Sequence, residues 1–341
     1  MRCRRKKLTV LLMLENPISK TRRFQILSLD GGGLKGLFQA SFLAGWEEAK
    51  GCSVTNYFDL ITGTSTGGII ALGLGMGFPA KELLNFYITE ARSIFPPSVL
   101  SGLKHYFSVK YDANGLEMAL KKYFRNRMLW ESKVPLVIPA FYPKFNDVYL
   151  FKTPHHKRLQ NDYREQVADV ARATSAAPTY FSPYEGDNGV QLVDGGVWAN
   201  NPVMIGIAEA MGYFAIPQSN VAALRIGTTT NAISLNKNPD SGGLISMAKA
   251  AMDFMMRGQE LSASNMAIHL LGKDRYHEVN ITVTPGDFAL DRLTTELVGF
   301  GHTCWRTHSS ELDDKGFFDH KPEPYKPFYK TESVTHNIQL K

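Results

Sequence analysis

The sequence predicts an α/β fold built on buried parallel strands, because one device occurs twice near its start: an apolar strand, a glycine turn and the beginning of a helix. The first copy is Phe24-Gln25-Ile26-Leu27-Ser28-Leu29 followed by Asp30-Gly31-Gly32-Gly33-Leu34-Lys35-Gly36. The second is Tyr57-Phe58-Asp59-Leu60-Ile61-Thr62 followed by Gly63-Thr64-Ser65-Thr66-Gly67-Gly68. Short apolar runs bounded by glycine read as strands buried on both faces. A glycine turn at a strand's carboxyl end opens onto the sheet edge where α/β folds bind their ligands.

The remaining elements follow in order. Leu34, Leu37, Phe38, Ser41, Phe42, Gly45 and Ala49 fall at helical spacing, so the first turn feeds a helix, and Ile69-Ile70-Ala71-Leu72 continues the second. Pro79 suits a first helical position, and residues 80–95 read as an amphipathic helix. Residues 93–107 combine Pro96 and Pro97 with many large apolar groups; a loop packed on the core is expected, with a lid or membrane-dipping loop as the rival. Asn114 with Glu117 makes a capping-box-like start for a helix through Phe124. Residues 134–141 and 148–151 read as strands, the first placed at a sheet edge by Pro135 and Pro139. The basic loop from Lys152 to Arg158 is either a solvated face or a phosphate contact. Helices are expected over 164–174, 203–213, 244–256, 261–271 and 290–313, and strands over 190–193, 222–227 and 277–284. The tail beyond Lys315, rich in proline, lysine and aromatics, is expected to wrap the surface or to be mobile.

Gly63-x-Ser65-x-Gly67 is the nucleophile-elbow pattern, in which small flanking residues let backbones crowd around a strained turn and the serine oxygen stands clear of the sheet. The following helix start favours negative charge on that oxygen. The string alone is weak; the strand before it and the apolar run after it supply the context. Gly31, Gly32 and Gly33 offer consecutive backbone N–H groups that can converge on one oxygen, an oxyanion hole for charge that appears in the transition state. The rival is a dinucleotide site, since Gly31-x-Gly33-x-x-Gly36 matches G-x-G-x-x-G. That fingerprint needs an acidic residue closing the second strand, whereas here the second strand carries Asp59 inside and ends in the serine turn.

The 341 residues suffice for one large α/β domain or two smaller ones, and 44% hydrophobic with 21% charged residues predicts an ordinary core. A formal charge of +6 fits attraction to anionic lipid or nucleotide surfaces as well as ordinary solubilisation. Cys3, Cys52 and Cys304 form no C-x-x-C pair, which argues for a reducing compartment. His155 and His156 lack helical ligand spacing and no H-E-x-x-H occurs, so no catalytic metal is expected. The basic start through Lys7 followed by Leu8–Leu14 imitates a signal peptide, but Glu15 closes the run without a cleavage site, and it is too short to span a bilayer; translation from Met13 is an alternative.

A serine nucleophile needs a base. Of nine histidines none sits in a glycine-bounded turn after a strand, leaving His302 and His308 as candidates for a hydrolase-like order. Asp194 does sit in such a turn and could face Ser65 across strand ends; burial would raise its low basicity. A plain Asp-Gly turn explains Asp194 equally on local sequence. Four motifs resolve the choice by resemblance: Asp30-Gly-Gly-Gly-Leu-Lys-Gly36, Gly63-Thr-Ser-Thr-Gly67, Ala173-Thr-Ser-Ala-Ala-Pro178 and Asp194-Gly-Gly with Asn200-Asn201-Pro202. Their combination and order, over roughly Arg23 to Met211, resemble the patatin-like phospholipases.

The resemblance implies a three-layer α/β/α sandwich around a mainly parallel sheet, a Ser65–Asp194 catalytic dyad, an oxyanion hole at Gly31 to Gly33, and no cofactor or metal. Lys35 stands where many relatives have arginine. The implied reaction is hydrolysis of fatty-acyl esters of membrane phospholipids through an acyl-Ser65 intermediate. Size and opening are similar to bacterial members that act in antiphage defence when a cyclic dinucleotide such as 3′3′-cGAMP binds. That subgroup implies a cytoplasmic protein working at the inner face of the membrane, without DNA or RNA partners. A constitutive esterase or thioesterase and a non-catalytic binding protein are the alternatives. The chain divides into a basic extension (1–22), a catalytic core (23–227) and a continuation of the same domain with a candidate regulatory role (228–341).

Overall fold

The computed structural model describes residues 22–96, 111–186, 189–231, 243–283, 291 and 294–330. At its centre β1 (Phe24–Leu29) is buried along its whole length, flanked in parallel by β2 (Leu60–Gly63) and β7 (Val221–Ile226). Beyond β2 lie β3 (Leu136–Tyr142), parallel to it, then antiparallel β4 (Asp147–Lys152) and β6 (Gln191–Asp194), with β5 (Tyr184–Glu185) outermost. Beyond β7 lies parallel β9 (Tyr276–Val279), and a short parallel pair joins β8 (Thr230–Asn231) to β10 (Thr282–Val283).

Strand pleating sends alternate residues of β1 into two separate cores. Phe24 and Ile26 pack with Val203, Ile207 and Ala210 of α7 (Val203–Gly212) and with Ala263, Ala267 and Leu271 of α8 (Gly243–Leu271). Leu27 and Leu29 face the larger core, built from α1 (Gly36–Lys50), α2 (Thr66–Gly75), α3 (Ala80–Ile94), α4 (Ala113–Phe124), α5 (Val167–Thr174) and α9 (Glu296–Asp314). The result is the expected α/β/α sandwich on a mainly parallel sheet. The register Leu29↔Gly63 and Leu29↔Ile226 brings the carboxyl ends of β1, β2 and β7 to one level, so the glycine turn and the serine turn emerge side by side.

Several expectations change. β3 is interior, not an edge: β2 pairs with it at Ile61↔Leu136 and Thr62↔Val137 and no further, so Pro139 deprives β2 of no ladder bond. The two helices expected around residues 244–271 are one, since Gly258 sits inside α8. Asp112, rather than Asn114, caps α4, its side chain accepting from the Asn114 N–H. Residues 57–59 precede β2, and the Asp59 carboxylate accepts from the Gln25 N–H (2.7 Å) and the His320 ring (2.5 Å). The tail wraps the surface as far as Lys330, burying Phe317. Residues 1–21 and 97–110, which include Met13, Cys3 and most of the apolar loop, lie outside the described residues.

α9 packs on α1 through aromatic contacts. Trp305 stacks on Trp46 (centroids 5.5 Å) and meets Phe42 edge-on (5.7 Å). Trp305→Ala should therefore lower the unfolding free energy by about 3–5 kcal/mol. Urea denaturation checks this, and an unchanged midpoint would mean that α9 contributes nothing to the core.

Candidate active site

The turn after β2 is an elbow. Ser65 has φ 54 and ψ −121, a backbone state uncommon for a residue with a side chain and worth about 1–3 kcal/mol of strain. The crossing is possible because Gly67 lies against the carbonyls of Leu29 and Asp30, and Gly63 against that of Gly67, where a Cβ would collide. Two bonds hold the strained residue: its N–H donates to Thr174 Oγ1 (3.1 Å), and the Thr174 hydroxyl donates to Pro139 O (2.6 Å). The segment after α5 also fixes the other side, since the Asp194 N–H donates to Ala176 O (3.1 Å) and the Gly195 N–H to Thr174 O (3.3 Å). Thus Thr174 and Ala176, in the small-residue motif, lie between the serine and the aspartate.

Ser65 is 9% exposed and Asp194 5%. The Gly196 N–H donates to Asp194 Oδ1 (2.7 Å), and the Ser65 hydroxyl lies beside the same carboxyl. Burial pushes the carboxyl up to about 6, against the pull of Ser65 and the Gly196 N–H. A carboxylate of that basicity beside a hydroxyl can accept its proton near neutral pH.

Both side chains line a cavity of about 160 Å³ with Gly32 and Gly33. The rest of its wall is mostly apolar, including Leu34, Ile69, Phe86, Phe95, Phe181 and Met256, with Thr66, Ser175 and Asn200 among its polar members. The expected oxyanion turn divides here. The Gly31 N–H donates to Asn200 O (3.0 Å) and is used within the fold, which removes Gly31 as an oxyanion donor; Gly32 and Gly33 remain in the cavity wall. Tyr87, expected only as part of an amphipathic helix, also lines the cavity; its hydroxyl accepts from Thr66 Oγ1 (2.5 Å) and donates to Thr66 O (3.0 Å).

The rival bases lie elsewhere. His308 Nδ1 meets His277 Nε2 (2.9 Å) between α9 and β9, and neither His302 nor His308 lines the cavity. His277, His308 and Glu311 are ligand types within 4.8 Å of one another, but the Lys315 ammonium already pairs with Glu311 (2.8 Å) and lies 3.3 Å from His277 Nδ1. In the basic loop, Lys152 and His155 are both spent on buried Glu209 (2.6 and 2.9 Å), and His155 stacks on Phe214. Lys152 therefore does not serve a phosphate. Among the described residues no helix is long and apolar enough to cross a membrane.

A strained serine elbow, a buried carboxyl and a glycine turn thus share the wall of one cavity where the strands end. The chain belongs to the patatin-like phospholipase family, whose model matches residues 27–207, and membership makes it a hydrolase. Its relatives include a cGAMP-activated phospholipase of Pseudomonas aeruginosa, 34% identical over 299 residues and covering 86% of each chain. Another cGAMP-activated phospholipase, from Vibrio cholerae, is 36% identical over 265 residues, 70% of this chain and 75% of that one.

The raised Asp194 gives two expectations. If the Asp194 carboxylate is the proton acceptor, ester turnover should rise as pH increases through about 6 and level off above it. Stability runs the other way. A carboxyl whose folded value lies above its unfolded one costs stability as pH rises from about 4 through about 6. Asp194→Asn, which keeps an acceptor for the Gly196 N–H, should be inactive yet more heat-stable than wild type at pH 8, with little difference at pH 4. A pH-independent difference in Tm would show that the carboxyl is not raised.

Proposed function

We propose that this chain is a phospholipid acyl hydrolase whose nucleophile is Ser65 and whose general base is Asp194, activated by a cyclic dinucleotide in antiphage defence. The observation that carries the reading is the buried Asp194 carboxyl beside the Ser65 hydroxyl in the wall of one largely apolar cavity. Ser65 Oγ attacks the acyl carbonyl while its proton passes to Asp194. Backbone N–H groups of Gly32 and Gly33 receive the oxyanion as the carbon becomes tetrahedral. Collapse expels the alcohol of the lysolipid, which takes the proton back from Asp194 and leaves acyl-Ser65. Water then attacks the acyl carbon, Asp194 removing its proton and returning it to Ser65 Oγ as the fatty acid departs.

An apolar cavity beside the nucleophile suits a fatty-acyl chain, and the formal charge of +6 suits an anionic bilayer surface. The cyclic dinucleotide enters from the relatives, which are named as cGAMP-activated phospholipases. The region after residue 227, which includes α8 and its cavity residue Met256, is our candidate for the regulatory part.

The test is fatty-acid release from phospholipid vesicles by purified protein, with and without 3′3′-cGAMP. Wild type should release fatty acid only when the nucleotide is present, and Ser65→Ala should lose at least about a thousandfold in rate while keeping its Tm. Full release without nucleotide would reduce the reading to a constitutive lipase. An active Ser65→Ala would end it.

A further inference from the structure

We infer that Glu260, on α8 and outside the segment matched by the family model, is a positioning residue for the reaction, acting through Asn200. This inference rests on the proposed Ser65–Asp194 chemistry.

Asn200 sits where the two halves of the site meet. Its backbone carbonyl accepts the Gly31 N–H (3.0 Å), and its side chain lines the cavity. Its Oδ1 packs against the Cα of Gly31, leaving no room for a methyl group, and a methyl on Gly196 would stand 3.2 Å from it. One amide thus lies between the glycine turn before the oxyanion N–H groups and the turn that carries Asp194. Gly196 is the residue whose N–H donates to Asp194 Oδ1, so a shift of this amide is felt at the base.

An amide is nearly symmetric in shape, and which end faces the glycines depends on what bonds its NH2. Glu260 Oε1 accepts from Asn200 Nδ2 at 2.5 Å, a charge-assisted bond that fixes the amide so that its Oδ1 lies against the Cα of Gly31. The Gly31 carbonyl is a weaker second partner at 3.4 Å. Glu260 is itself held by Arg257 (3.2 Å), with Arg225 at 3.9 Å. It is not a cavity residue and touches no reacting atom. The neighbouring Gln259 ties α8 to the same region differently, exchanging two bonds with the Asn201 backbone (3.0 and 3.2 Å) and none with the Asn200 side chain.

That difference supplies the experiment. Steady-state kinetics on a soluble acyl ester and on nucleotide-treated phospholipid vesicles would be measured for wild type, Glu260→Ala, Glu260→Gln, Glu260→Asp and Gln259→Ala, each normalised to folded protein by circular dichroism and Tm. Glu260→Ala should lose at least tenfold in kcat with KM within twofold. Glu260→Gln, which retains the acceptor oxygen, should recover to within threefold of wild type. Glu260→Asp draws the oxygen back by one methylene and should fall between them; it decides the matter if Glu260→Ala does not fold. Gln259→Ala should keep kcat within twofold, whatever its Tm. Wild-type kcat in folded Glu260→Ala or Glu260→Asp overturns the inference, and so does an equal loss in Gln259→Ala, which would assign the effect to the seating of α8. Ser65→Ala run alongside separates the two levels: activity there refutes the dyad, whereas a dead Ser65→Ala beside an unaffected Glu260→Ala refutes only the role of Glu260.

Discussion

The site depends on a buried ion pair beneath it. Arg225, on β7, grips Asp30, the residue that ends β1 and begins the glycine turn, through Nε (2.9 Å) and Nη2, and reaches Glu278 on β9 at 2.5 Å. Three neighbouring strand ends are thereby fastened to one guanidinium. Such a pair gains less than its Coulomb attraction suggests, because both charges lose their water. The tension is visible in Asp30, pushed up to about 7 by burial although Arg225 pulls it down. The value of the arrangement lies in direction: a fork of donors fixes where the backbone of the turn leaves the sheet.

The centre of the molecule is consequently unfavourable in several places at once. Ser65 occupies a strained backbone state, and Asp194 and Asp30 are carboxyls held out of water. These features persist because the surroundings leave no alternative. Helices cover both faces of the sheet, and Trp46, Trp305, Phe42 and Phe58 pack the larger core behind α1. Stability and reactivity are separated in space: apolar burial lies within the layers, and the costly groups gather where the strands end.

The parts legible in the sequence are those specified by local chemistry. β1 and the elbow announce themselves through short apolar runs stopped by glycine, and Ser65 follows from its spacing together with the strand before it and the apolar run after it. Asp194 needed the resemblance, because an Asp-Gly turn is common and Ser65 lies across β3. The proline rule misplaced β3, since Pro139 falls beyond the last residue paired with β2, a matter of register that only the assembled sheet settles. α8 stays continuous through Gly258 because the residues after it pack on β1 and α7, tertiary contacts that outweigh propensity. Gly31 looked equivalent to its two neighbours until Asn200, far along the chain, proved to accept its N–H. Glu260 and Tyr87 carried no signal, because their roles come from partners distant in sequence.

The apolar cavity beside Asp194 has a consequence for the base. On the proposed chemistry an acyl chain entering the cavity displaces the water that still reaches this carboxyl. Removing solvent from a carboxylate makes it hold a proton more tightly. The proton affinity of the base is then a property of the Michaelis complex rather than of the empty protein, and it grows with the length of hydrocarbon that the cavity admits. Long-chain esters would meet a stronger base than short ones do, so preference among lipids need not reside in binding strength at all.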